Sequence, residues 1–279
     1  MGRSLRMAAI ARLDLAEVLR SRWPAFCSAL YVALGALFIL VGLRESNVLG
    51  FTGMGRVLLS LCNVLVLILP LLALAASGQV VNRSREDGTL ELLFSLPVTR
   101  GEYFGAVSLV RFLALLAPLV VVMPCLGILG RVVFGQAIPW GFLGRSLAIS
   151  ASLLWAFVGL GLIITVLVGN QAKALMYLLL AWVTGVALLD FGLVGLMLQW
   201  RLNPESVFIL ACLNPVQCAR MALLSAADPG LGTLGPVGFY LANRVGVNVL
   251  FLLGVAWPSL VGSLAWAVGW RIFRRRDLV

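Results

Sequence analysis

The chain has 279 residues, of which 62% are hydrophobic and 11% charged, and its mean hydropathy is +1.06. A water-soluble domain of this length has no core large enough to hide so much apolar surface, so the composition excludes that class and predicts a membrane protein. We assign the formal net charge of +10 to membrane topology and anionic lipid headgroups, and nothing in the sequence indicates nucleic acid as a partner.

Six segments are apolar over about 20 residues, the length at which a helix crosses a hydrocarbon core roughly 30 Å thick. They predict an all-α, polytopic membrane protein with one transmembrane domain over residues 1–279. Arginines precede the first segment as in a signal peptide, but its apolar run is too long, so we expect an uncleaved span. The predicted spans are 24–43, 57–81, 103–130, 146–169, 174–199 and 247–270.

The basic residues predict the orientation. With six spans, both termini share one side with the loops 82–102 and 170–173. Thirteen lysines and arginines fall on that side and seven on the other, so both termini are expected in the cytoplasm. Trp155, Trp182 and Trp266 lie away from the predicted interfaces, and we interpret them as packing residues.

The chain lacks the motifs of an enzyme. No phosphate-binding loop is present, Lys173 is the only lysine, and histidine is absent, which excludes imidazole chemistry. No paired carboxylates are spaced for hydrolysis. We therefore expect neither catalytic activity nor a cofactor bound by this chain, and any energy for work must come from another subunit.

The segment 82–103, NRSREDGTLELLFSLPVTRGEY, carries seven charges among 22 residues between two apolar spans. Leu90–Leu96 predicts a short helix, which Pro97 ends because proline removes a backbone donor. Thr99-x-x-Glu102 predicts a capping box that begins the third span. An interfacial helix lying on the membrane remains the alternative. The expected capping residues of the short helix are Ser84, Asp87 and Thr89.

One pattern here resembles the loop between the second and third spans of ABC-2-type permeases: Glu86-x-Gly88-Thr89-Leu90-x-Leu92-Leu93-x-Ser95-x-Pro97-x-x-Arg100-x-Glu102. The resemblance implies a coupling helix that docks on a separate ATP-binding subunit, which would hold the ATP and magnesium. Gly105-Ala106 stands where the family often has Gly-Lys. The residues implied in coupling are Glu86, Asp87, Gly88, Thr89, Leu90, Leu93, Phe94, Pro97 and Arg100.

Other stretches extend the resemblance over nearly the whole chain. Residues 10–23, within a cytoplasmic segment 1–23, resemble the connecting helix of these permeases, although Arg12 falls on the apolar side and Ile10 and Leu13 on the polar side. Residues 49–74 and 202–224 and the ending AVGWRIFRRRDLV are similar, more narrowly, to the permease of the transporter that matures nitrous oxide reductase.

That resemblance implies two copies of the chain in a bacterial inner membrane, a pair of ATPase subunits, and a periplasmic copper-handling partner. Three alternatives stay open. They are an ABC-2 exporter of another cargo (lipid, peptide or ion), a secondary transporter, and a non-transporting membrane scaffold.

Residues 200–246 form the one large extracytoplasmic segment of the predicted topology. Residues 206–213 are too short to span and predict a half-buried or re-entrant helix. Asn214-Pro215 predicts the start of a helix reaching about Ala227. The segment is either an outer gate or partner-docking site, or a lid over the bundle.

Two kinds of side chain are candidates for further roles. Sulfur ligands are expected if the pathway carries copper, although cysteine and methionine also fill apolar gaps, and a Cys212–Cys218 disulfide stays open. The candidates are Met123, Cys125, Cys212, Cys218 and Met221.

Arg111 and Asp190 are ionisable residues inside predicted spans, about 12 Å and 25 Å from the cytoplasmic boundary. We expect Arg111 to snorkel towards the cytoplasm and Asp190 to face a dimer interface or a polar cavity. Asp190→Leu is therefore expected to impair function more than Arg111→Leu.

Overall fold

The computed structural model describes residues 3–49, 54–135, 137–189, 192, 204–227 and 244–275, and within those ranges the chain is helical and has no strand. A π-helical turn, Thr184–Leu188, directly follows α8. The helices are α1 (Arg3–Arg20), α2 (Trp23–Leu49), α3 (Met54–Ser77), α4 (Val80–Glu86), α5 (Thr89–Ser95), α6 (Arg100–Phe134), α7 (Trp140–Leu167), α8 (Gln171–Val183), α9 (Pro204–Leu213), α10 (Pro215–Ala227) and α11 (Val247–Arg275).

Six stretches of described helix are long and apolar enough to cross a membrane, which confirms the predicted all-α polytopic class. The far end of the predicted fifth span, residues 193–199, lies outside the described residues. The six stretches are Trp23–Val41, Ser60–Glu86, Arg100–Phe134, Trp140–Leu167, Gln171–Leu188 and Val247–Arg275.

The fourth and sixth spans, α7 and α11, pack backbone against backbone. A Cβ at Gly159 would collide with the carbonyl oxygen of Gly262, and a Cβ at Gly262 would lie 2.7 Å from the carbonyl oxygen of Trp155. Small residues permit this approach, which matters in a bilayer because lipid offers no hydrophobic drive for helices to associate.

A hydrogen bond to a freed carbonyl also joins these two helices. Pro258 lies inside α11 and has no N–H, so the carbonyl of Gly254, four residues earlier, lacks its usual helical donor. The buried Ser152 hydroxyl of α7 lies 3.1 Å from that oxygen and 2.8 Å from the carbonyl oxygen of Ile149 in its own helix. A side chain of the fourth span therefore satisfies the backbone of the sixth.

The three tryptophans predicted to be packing residues each bridge two helices, which confirms that prediction. Trp155 donates its indole N–H to Ser263, 3.1 Å away. Trp182 donates to the carbonyl oxygen of Leu67 at 3.1 Å, and Trp266 donates to the hydroxyl of Ser108 at 2.9 Å.

The amphipathic helix α1 lies along the start of α6. Its buried line runs through Ile10, Asp14 and Val18, spaced four residues apart, and Val18 packs on Val110 and Ala114 of α6. The predicted faces of α1 were wrong at Ile10, which is buried, and at Arg12, which is exposed. They were wrong because the position of α6, and not the hydropathy of α1 alone, decides which side is inward.

Candidate functional site: the coupling surface

The short helix α5 has two different faces. Leu90 is only 1% exposed and Leu93 and Phe94 are partly buried, so this side of the helix faces the bundle. Leu92 is 73% exposed and Leu96, just after the helix, is 59% exposed. We call Leu92 and Leu96, with the exposed acids Glu86, Asp87 and Glu91 beside them, the coupling surface.

The inward face of α5 rests on an aromatic cluster from two spans. The ring of Phe94 lies 6.0 Å from Tyr103 of α6, edge to face, and 6.4 Å from Phe273 of α11. Tyr103 and Phe273 stack at 5.9 Å, and Phe104 lies 5.4 Å from Phe273. These ring contacts join α5 directly to the ends of α6 and α11.

A glycine turn orients α5. Gly88 has φ = 69°, in the left-handed region, and an added Cβ there would meet nothing within 4 Å, so glycine is required by its backbone and not by space. The predicted side-chain caps Ser84, Asp87 and Thr89 make no capping bond to α5. That prediction was wrong because the residue at the cap is Gly88 itself, and Ser84 instead accepts a hydrogen bond from the Tyr103 hydroxyl at 3.2 Å.

The capping box at the start of α6 is confirmed. The backbone N–H of Glu102 donates to Thr99 Oγ1 at 3.3 Å, and the N–H of Thr99 donates to Glu102 Oε2 at 3.0 Å. The same carboxylate is 3.7 Å from Arg6 of α1, which donates to the carbonyl oxygen of Pro97 at 2.8 Å. The end of the coupling segment is thereby tied to α1.

The structure divides the residues implied in coupling by exposure. Leu90 is buried, and Gly88, Leu93, Phe94 and Arg100 are partly buried. Glu86, Asp87, Thr89 and Pro97 are exposed.

Sequence reasoning did not single out the exposed leucines Leu92 and Leu96. A signal for them was present, because Leu90, Leu93 and Phe94 share one helical face, and that spacing leaves Leu92 and Leu96 on the other.

The charged residues of this end are held differently. Asp87 lies 3.7 Å from Arg83, both on the surface, where an ion pair adds little stability. Glu86 accepts from the backbone N–H of Gln171 at 3.4 Å, which links the coupling segment to the start of α8.

Arg111 has a partner on the N-terminal helix α1, the carboxylate of Asp14, at 2.7 Å. Both are largely buried, with 14% and 8% of their side chains exposed. Burial raises the pKa of the Asp14 carboxyl, and the Arg111 guanidinium opposes that rise. Sequence reasoning missed Asp14 because an acid on an amphipathic helix usually faces water. Asp190 lies outside the described residues.

At the opposite end, α9 and α10 reverse sharply, with 119° between them. Asn214 makes the turn: its Oδ1 accepts from the N–H of Val216 at 3.0 Å, as predicted for a cap before Pro215, and its Nδ2 donates to the carbonyl oxygen of Gly185 at 2.6 Å. Gly185 lies in the π-helical turn, where the usual backbone hydrogen-bond pattern is interrupted. One side chain therefore holds the reversal against the fifth span.

The candidate sulfur ligands fall in two places. Met123 is buried and Cys125 exposed on α6, so their side chains point apart. Cys212 and Cys218 are free thiols in contact across the α9–α10 reversal, and Met221 packs in the same cluster as Cys212. The described part of the chain has no group of three His, Cys, Asp or Glu side chains able to hold a metal ion.

Comparison with known proteins supplies a family. Residues 8–278 match the model of the ABC-2 family transporter protein. A protein of Stutzerimonas stutzeri named "Probable ABC transporter permease protein NosY" is 29% identical over 273 residues, covering 96% of this chain and 97% of its own. A protein of the same name from Pseudomonas aeruginosa PAO1 is 30% identical over 277 residues, covering 96% and 98%.

Proposed function

Because the chain belongs to the ABC-2 transporter family and is a permease subunit of that class, we propose that it relays ATP-driven motion from a separate ATPase subunit to the outer side of the membrane. One observation carries the proposal: α5 presents exposed leucines to the outside and aromatic packing to two spans on its other face.

The coupling surface has the composition of a docking site. An apolar centre, Leu92 and Leu96, gains from burial against a partner, and Glu86, Asp87 and Glu91 around it favour a partner with basic residues. The partner binds ATP and magnesium, and this chain binds neither. Motion then passes through Phe94 into the Tyr103–Phe273 stack.

The proposed assembly contains two copies of this chain and two ATPase subunits in a bacterial inner membrane, with both termini cytoplasmic. The excess of basic residues on the side of the termini supports this orientation. We propose two copies because the described part of each chain presents one coupling surface, and two ATPase subunits need two.

We place the transporter in the maturation of the copper sites of nitrous oxide reductase. The support is the resemblance of residues 49–74 and 202–224 to the permease of that branch, together with two relatives named NosY over almost their whole length. The outer reversal at Asn214 then faces a periplasmic copper-handling partner.

An ABC-2 exporter of an apolar cargo is the second candidate. A cavity of about 690 Å³ lies between α7, the fifth span and the α9–α10 reversal, lined mainly by apolar side chains with Thr184 and Asn214 among them. A lipid-like cargo would fit such a lining.

The test is purification of the chain in mild detergent from its native host, followed by measurement of the ATPase subunit and ATP turnover that accompany it. Leu92→Asp is expected to weaken retention of the ATPase subunit roughly 30-fold, the loss typical of a central interface residue. Phe94→Ala is expected to retain the subunit but lower its stimulation, because Phe94 acts between α5 and the spans.

Val132→Asp is the matched control, since Val132 is 77% exposed at the far end of α6. Full retention of the ATPase subunit by Leu92→Asp would contradict the docking role. A periplasmic copper protein in the purified fraction supports the nitrous-oxide-reductase branch, and a co-purified apolar cargo supports the exporter.

A further inference from the structure

Five arginines surround one tryptophan where α1, α6 and α11 meet at one boundary of the membrane. One cavity of about 530 Å³ is lined by Arg6, Arg100, Trp270 and Arg274, and a second of about 370 Å³ by Trp270 and Arg271, Arg274 and Arg275. Trp270 and Arg274 line both. We propose that this arginine pocket binds the phosphate group of an anionic membrane phospholipid.

The charge of the pocket is strongly positive. In the larger cavity three arginines face one carboxylate, Glu102, which is buried and already engaged by the capping box and by Arg6. Among the described residues, the smaller cavity is lined by three arginines and no carboxylate. A guanidinium group matches a phosphate with two parallel hydrogen bonds, so this set of side chains selects a phosphate ligand.

The arginines are held in place by the fold. The guanidinium of Arg274 lies 4.8 Å from the centre of the Trp270 ring, and its backbone carbonyl accepts from Arg100 Nη1 at 3.2 Å. Arg6 is oriented by its bond to the carbonyl oxygen of Pro97. Side chains held in this way lose less freedom when a ligand arrives.

The exposed apolar side chains beside the pocket favour a lipid over a protein as its ligand. Leu260, Leu264 and Val268 are exposed on α11, and the same helical face continues through Arg271 to Arg275. An apolar stripe that ends in arginines at a membrane boundary accommodates acyl chains along its length and a phosphate at its end. Trp270 lies near the arginine-rich end of this candidate span, the position at which tryptophans of membrane helices are enriched.

Binding of phosphatidylglycerol to the purified full-length chain in neutral detergent tests this site, with native mass spectrometry counting the bound lipid. Arg271→Gln with Arg274→Gln is expected to weaken binding about 25-fold, from roughly fivefold per arginine. The matched control is Arg131→Gln with Arg244→Gln, which removes two exposed arginines at the opposite end of the bundle and is expected to leave binding unchanged.

The melting temperature of each variant without lipid shows whether it is folded, and Arg274→Lys, expected to bind with intermediate affinity, provides a milder change. Phosphatidylcholine is expected not to compete. Inorganic phosphate or glycerophosphoglycerol binding as tightly as the lipid would overturn the lipid assignment in favour of a soluble phosphate.

Equal phosphatidylglycerol binding by the test variant and the parent would also overturn it. If the Arg271→Gln/Arg274→Gln variant binds lipid normally but loses the ATPase subunit on co-purification, the pocket binds a protein partner instead. The binding assay needs the permease alone, so its failure is distinguishable from failure of the proposed coupling role.

Discussion

The fourth and fifth spans are neighbours in the chain but are held in opposite ways. In the most apolar window of the fourth span 61% of residues are buried, against 17% in the fifth. The fourth span, α7, meets α11 through glycine backbones, whereas α8 of the fifth presents Met176, Leu179 and Leu180 outwards. Small residues therefore join α7 to α11, whereas large exposed side chains cover the outward face of α8.

The close-packed pair α7 and α11, which we call the frame, therefore differs from the exposed face of α8, where side chains have room to change. The α7–α11 pair has no slack, because backbone atoms cannot move aside as side chains do. The described contacts of the fifth span with the rest include the Trp182 hydrogen bond, the buried Leu178 and the Asn214 bond to its π-helical turn. We therefore expect substitutions to be most damaging in the frame.

The largest effect is expected from Gly159→Ala. The new Cβ would collide with the carbonyl oxygen of Gly262 and lie 3.1 Å from its carbonyl carbon, so the two spans must separate. We expect a loss of about 3 kcal/mol, measured as a lower melting temperature in detergent. Gly144→Ala is the control on the same helix, because a Cβ there meets nothing within 4 Å. Equal melting of the two variants would refute a close-packed frame.

The next largest effect is expected at the ion pair between Arg111 and Asp14, which joins α6 to α1. Arg111→Leu leaves Asp14 buried without its partner, and the expected loss of stability is about 2 kcal/mol. The double variant Arg111→Leu/Asp14→Leu is expected to recover most of it, because no buried polar group is then left unpaired. If the double variant melts no higher than the single one, the pair is not what joins α1 to α6.

A smaller effect is expected at the outer reversal. Asn214→Ala removes both the cap of α10 and the bond to Gly185, with an expected loss of about 1.5 kcal/mol. Asn214→Asp keeps the accepting oxygen but not the donor, so it separates the two bonds. If Asn214→Asp is as stable as the parent, the Gly185 bond contributes nothing to holding the fifth span.

The smallest effect on stability is expected at the outward face of the fifth span. Leu179→Ser changes an exposed position, so the free energy of unfolding is expected to change by less than about 0.5 kcal/mol. The melting temperature of the monomer in detergent should therefore hardly move. If that face meets a second copy, the dimer fraction measured by light scattering falls. An unchanged dimer fraction would locate the contact between copies elsewhere.

Most of the architecture could be predicted from the sequence, because each signal is local. Twenty apolar residues predict a span, Thr99-x-x-Glu102 predicts a helix start, and Asn214-Pro215 predicts another. Pro97 was expected to end the coupling helix, and α5 does stop at Ser95, two residues before it.

Most features that could not be predicted from the sequence depend on a contact with a second helix. Asp14 becomes a buried ion-pair partner only because α6 brings Arg111 to it, and Ile10 is inward only because α6 covers it. The turn at Gly88 was indicated by the sequence, because glycine allows the chain to turn there, but its position as the capping residue of α5 was not. The hydrogen bond from Asn214 to the Gly185 carbonyl in the π-helical turn also could not be predicted, because it joins two separate elements.

The proline of the sixth span bears on how the protein is assembled in the bilayer. When α11 first enters the membrane, the carbonyl of Gly254 has no donor, and an unsatisfied backbone group in hydrocarbon costs several kcal/mol. The hydroxyl of Ser152, on a span about a hundred residues earlier in the chain, supplies a donor to that carbonyl. A proline-freed carbonyl in α11 therefore favours the association of this span with α7, where apolar surfaces alone give helices in lipid no drive to associate.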